Sequence, residues 1–217
     1  MTNSPAAVGG SKMRKLMIQM TVGAVSGALV MFGLLNFVDS AGIDLDNPSR
    51  VIALGTAAVF AIMGLFVALG VMAPGPGARF LNVEDEGDLR EQRSTLWHGA
   101  LMMLALAAMV FGLALGGDGG LLTRAASAVI FVLGLLATIG ISVAGKADGD
   151  EFTRSIARES SAYSMYACTI LLGLWAAASH LGYAGWIDPL GLLSALLIIQ
   201  FGTMMIVCAA RGLLSPR

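Results

Sequence analysis

Apolar residues run along this chain in six long stretches, and the short segments between them hold nearly all of the charge. The stretches are 16–38, 51–72, 97–116, 121–144, 161–181 and 187–210. A helix that crosses a bilayer needs about 20 mostly apolar residues, each advancing it by about 1.5 Å. All six stretches qualify. The pattern predicts an all-α, polytopic membrane protein with six transmembrane helices. It divides the chain into an N-terminal tail (1–15), a six-helix domain (16–212) and a C-terminal tail (213–217). The first run follows Lys12, Arg14 and Lys15, as the core of a secretory leader would. It is 23 residues long, however, whereas a cleavable leader has an apolar core of about 7–15. It is read as a retained helix.

Composition supports this reading. Of the 217 residues, 57% are hydrophobic and 12% charged, whereas a soluble domain has about 25% charged residues. The 28 glycines suit helices that approach closely in lipid. Charge placement gives an orientation. With the N-terminus inside, the inner segments hold Lys12, Arg14, Lys15, Arg79, Arg90, Arg93, Lys146, Arg154, Arg158, Arg211 and Arg217, and the outer ones only Arg50 and Arg124. That ratio of 11 to 2 predicts N-in, C-in topology by the excess of Lys and Arg in cytoplasmic loops. The formal net charge of −1 gives no overall field to draw in nucleic acid.

The connections differ on the two sides. On the outer side, 117–120 and 182–186 are tight, and 39–50 is acidic with a turn at Pro48. On the inner side, 73–96 opens with Pro74-Gly75-Pro76-Gly77, which ends a helix, and continues through Asp85, Glu86, Arg90 and Arg93. The other inner segment, 145–160, carries Asp150, Glu151, Arg154, Arg158 and Glu159. These nine charged residues are the candidate contact surface. Both elbows are expected to form the first turns of the helices that follow. Asp150 is the expected N-cap of the fifth, and Glu151 is favourable at its positive end. Arg93 and Arg158, each following an Asp-Glu pair at equal spacing, hint at a repeated unit with an offset of 65 residues.

Within the spans the candidate chemistry is sparse. His98 and His180 fall at opposite ends of the bundle, about 25–30 Å apart, too far to share a haem. No span has an acidic residue in its interior, which speaks against ion coupling through buried carboxylates. Ser26, between Gly23 and Gly27, has no histidine at its depth to act as a base. The two glycines instead form a G-x-x-x-G packing face, a spacing repeated by Ala108, Gly112 and Gly116. Gln19 and Gln200 are the candidate interhelical polar residues. Cys168 and Cys208 fall toward the inner ends of their helices, where they could be neighbours. No catalytic, cofactor-binding or metal-ligating residue is expected.

Asp150-Glu151-Phe152, with Arg154, Ile156 and Glu159, stands directly before a two-helix hairpin whose turn contains Gly and Trp. This stretch resembles a group of small bacterial inner-membrane proteins that begin with D-E-F-x-R-x-I-x-x-E and continue into two apolar helices. The resemblance covers about 150–212 and implies a bacterial inner-membrane location. The group has no established activity, so it implies no catalytic residue. The expected function is that of a non-enzymatic membrane subunit or scaffold, embedded in the lipid bilayer. Its charged elbows would contact a protein partner, another copy of the chain or lipid headgroups. The alternative is a small-solute or lipid transporter.

Overall fold

The computed structural model describes residues 5–40, 42, 47–73, 75, 86–117, 120–148 and 151–213, with side chains defined for all but 5–16, 18–20, 22, 86, 88 and 146–148. Among the described residues the chain forms seven helices and no strand. They are α1 (Pro5–Ser40), α2 (Pro48–Met72), α3 (Glu86–Glu91), α4 (Arg93–Ala114), α5 (Arg124–Asp148), α6 (Glu151–His180) and α7 (Pro189–Ala210). All but α3 are long and apolar enough to cross a membrane.

The helix ends follow local chemistry. Two helices start alike, with an Asx cap followed by proline. Asn47 accepts from the Ser49 N–H at 2.9 Å before Pro48, and Asp188 accepts from the Gly191 N–H at 2.8 Å before Pro189. The side-chain oxygen satisfies an amide that has no partner in the first turn, and proline has no amide to satisfy. Thr123 Oγ1 caps α5 in the same way, accepting from Ala126 N–H at 3.2 Å. At the far ends of α6 and α7, Gly182 and Gly212 adopt φ of 80° and 74°. Beyond each glycine the next amide reaches back to close the helix, Tyr183 to the Ala178 carbonyl and Leu213 to the Cys208 carbonyl. This ending needs a left-handed residue, which favours glycine.

Two helices run well past their apolar stretches. The pattern places the first span at 16–38 and the fifth at 161–181, whereas α1 begins at Pro5 and α6 at Glu151. No glycine or proline interrupts 151–172, and its Arg, Glu and Ala residues favour helix, so the second elbow is a continuous extension of α6. The first elbow differs from the expectation. It forms a separate short helix, α3, pinned by buried Leu89, and the chain breaks at Gln92 before α4 begins at Arg93. Arg93 is thus the first residue of its helix, while Arg158 lies two turns into α6. The equal spacing in sequence does not correspond to equal positions in the fold.

The packing centres on α4, which lies between α2 and α5; α7 packs on α2, and α6 packs on α7. The packed pairs α2–α4, α4–α5 and α6–α7 are antiparallel, with Gly64 against Leu104 and Ala100, Gly134 against Met109, and Ser164 bonded to Thr203. The pair α2–α7 is parallel: Ser49 meets Gly191 at one end, and further along the Phe60 and Phe201 rings meet edge to face, 5.5 Å between centroids. The core is small-residue rich. Ala53, Leu54, Ala57 and Phe60 of α2 meet Ala107, Val110 and Ala114 of α4 and Leu197 of α7.

Lipid is as apolar as leucine, so helices in it associate by close packing more than by the hydrophobic effect. Glycine makes this approach possible. A methyl group on Gly64 would stand 3.0 Å from the Ala100 carbonyl oxygen, and one on Gly112 would press into Ile130. Gly112 and Gly116 of the expected small-residue face therefore do pack, but Ala108 is exposed. The expected G-x-x-x-G face at Gly23 and Gly27 has, among the described residues, no atom of another helix within 4 Å of where a methyl group would sit. The reason lies in α1, which touches α2 only near its end, through residues such as Met31 and Val38.

Candidate functional site

Polar side chains gather at the two ends of the bundle. At the end formed by the hairpins 117–123 and 181–188, the capped starts of α2 and α7 lie side by side. Arg50, in the first turn of α2, is 9% exposed and donates from Nη2 to the Gly116 carbonyl, at 3.2 Å. That carbonyl lies just past the end of α4, where helix carbonyls lack partners and the helix dipole is negative. A guanidinium therefore suits it in both hydrogen bonding and charge. Across Gly116 lies Ser127, whose buried Oγ has no hydrogen-bond partner among the described residues; the absent Cβ of Gly116 makes room for it. Burial disfavours the charge on Asp188, but hydrogen bonds from the Gly191 N–H, the Ser49 and Asn47 side chains and the Leu190 N–H outweigh it. They hold its carboxyl below the ordinary aspartate value. The cluster joins α2, α4 and α7, leaving Arg50 and Asp188 as its two charges among the described residues.

At the opposite end, the arginine at the end of α7, Arg211, reaches Glu159 of α6 at 2.6 Å. One of the candidate contact residues thus ties two helices together. Arg154 and Arg158 are exposed on α6 one turn apart, beyond Glu151, which is exposed as well. Arg90 and Arg93 are exposed on α3 and α4. Asp85 and Asp150 lie outside the described residues, as does the side chain of Glu86. His98 faces Gly145 of α5, with Cβ 3.6 Å from a methyl group placed there. The backbone of Gln19 is helical, but its side chain is outside the described set. Gln200 is exposed, and the hydrogen bond between α6 and α7 is made by Ser164 and Thr203. That register sets Cys168 level with Ile199, about 13 Å along the axis from Cys208, so the two cysteines are not neighbours.

A groove of about 340 Å³ opens between α2 and α7, lined by Ile52, Gly55, Val59, Phe60, Ile198 and Phe201. Its one hydroxyl, on Thr56, is bonded back to the Ile52 carbonyl at 2.8 Å, so the lining suits an apolar occupant. Among the described residues no three His, Cys, Asp or Glu side chains gather in a group that could hold a metal ion.

The Arg50 cluster was missed in the sequence, although a signal was there. Asx-Pro precedes both helices, and an arginine three residues after Asn47 falls in the first turn. No protein-family model, curated protein or solved structure matches the chain.

Proposed function

We propose that the chain is a non-enzymatic subunit or scaffold of a bacterial inner membrane, crossing it six times with both termini in the cytoplasm. The observation that carries this reading is that α1, α5 and α6, three of the six long helices, each pack along a single neighbour among the described residues. A polytopic protein that worked alone would gain by packing such helices on more than one side. The residues left open on α1 include Gly23 and Gly27, whose spacing suits close approach by another helix. The 11-to-2 charge bias supports the orientation. It puts the exposed Arg90, Arg93, Arg154 and Arg158 in the cytoplasm, at the surface where a partner would dock.

Gentle solubilisation from the native membrane tests the reading. A second polypeptide is expected at constant stoichiometry, and charge reversal at Arg90 and Arg93 is expected to release it. A lone chain that accelerates solute flux across liposomes would overturn the reading in favour of transport.

A further inference from the structure

We propose that Arg154 and Arg158 of α6 form a binding site for the headgroup of an anionic phospholipid, whose acyl chain lies along α6. The proposal rests on the reading above that this end of the bundle lies at a membrane surface. Its depth follows from the helix length. The rings of Trp175 and Trp186 meet at a tilt, 5.9 Å between centroids, at the hairpin end, and tryptophans are enriched where hydrocarbon meets headgroups. Twenty residues of helix cross the hydrocarbon, so counting back from Trp175 reaches Ile156, between the two arginines. The Glu159–Arg211 pair lies at the same level, as a charged pair at the boundary should. Both guanidiniums thus reach the phosphate layer, since long basic side chains extend toward it.

Two exposed guanidiniums lie there within one turn of each other. Arg154 lies in the first turn of α6, where the helix dipole is already positive. Glu159, the acid nearest to Arg158 in sequence, is engaged by Arg211 from the neighbouring helix. Glu151 lies further from the hydrocarbon than either arginine, on the solvent side of the pair. Toward the hydrocarbon, the same face continues as Ala162, Met165 and Thr169, all exposed. The Thr169 hydroxyl is bonded back to the Met165 carbonyl at 2.8 Å, so the track asks nothing polar of what covers it. Further along, a methyl group placed on Gly173 would meet nothing within 4 Å among the described residues. An arginine pair above a shallow apolar track matches a phosphate above an acyl chain.

The test is native mass spectrometry of the purified chain in dodecylmaltoside containing equal amounts of dioleoylphosphatidylglycerol and dioleoylphosphatidylcholine. The phosphatidylglycerol-bound form should predominate. In R154Q/R158Q its excess should fall by about 25-fold, a factor of about five for each arginine near an anionic surface. R154K/R158K should retain most of the preference, and R93Q all of it. No preference in the native chain, or an unchanged preference in R154Q/R158Q, would overturn the proposal. So would an equal loss in R93Q, which would indicate diffuse charge. Abolition by millimolar inorganic phosphate would assign the site to free phosphate and overturn the lipid. Because the purified chain is used, a failure here leaves the subunit reading standing, and that reading falls only if no polypeptide co-purifies.

Discussion

A single arginine shows how much depends on what an end of a helix is offered. Arg50 sits at a boundary where many arginines are simply solvated. Here it is covered by protein and bonded to the Gly116 carbonyl just past the end of another helix. Net hydrogen bonds to charged groups contribute about 1.5–3 kcal/mol. Arg50→Gln is therefore expected to destabilise the folded chain by about that amount, read as a lower midpoint of thermal unfolding in detergent. Asp188 adds a dependence on pH. Its carboxyl is held below the ordinary aspartate value, so its contribution is fully present above that value. It is lost as the pH falls through the lowered folded value. Asp188→Asn should lower stability at neutral pH, converge with the native chain in acid, and so flatten the acid limb of the stability profile. An acid limb identical in Asp188→Asn would remove this assignment. Neither role is legible from the residue alone, because an Arg or Asp beside an apolar run looks the same whether water or another helix receives it.

At the scale of elements, the six spans were legible because length and apolarity decide them, and neither requires knowledge of a partner. The ends were less so. The charged residues from Glu151 onward read as the opening of a helix, and α6 does begin there, but the first elbow forms the separate short helix α3 instead of joining α4. The cysteines were misjudged because the offset between α6 and α7 is fixed by a contact, Ser164 with Thr203, that no local pattern encodes. Glycines show the same limit. Gly64 and Gly23 look equivalent in the sequence, but only Gly64 has a neighbour's backbone against it. Gly64→Val is expected to cost about 1–3 kcal/mol through overpacking and to lower the unfolding midpoint of the isolated chain. Gly23→Val should leave that midpoint unchanged while weakening recovery of any co-purifying polypeptide. Equal midpoint losses would mean that α1 packs in this chain more closely than described.

For the whole molecule, the packing puts the start of α1 and the end of α7 at one end, and the Arg50 cluster at the other. If six helices cross the bilayer, single cysteines introduced at Asp118 and Ser215 should be labelled from opposite sides by an impermeant maleimide. With Cys168 and Cys208 replaced by alanine, the residue at 118 should react in whole cells and the one at 215 only after lysis. Labelling of both from one side would overturn the six-crossing topology, and the reverse pattern the orientation.

The parallel pairing of α2 with α7 also bears on how the chain is made. Helix α2 is among the first to leave the ribosome and α7 is the last, with four helices produced between them. Until α7 arrives, the face of α2 that carries Ser49 and Phe60 has no mate, and Ser49 and Asn47 lack Asp188. The bundle is therefore closed by its final helix rather than grown outward pair by pair. A nascent chain halted at His180 would already hold α2, α4 and α5 together, but it would present an open seam to the membrane's quality-control machinery.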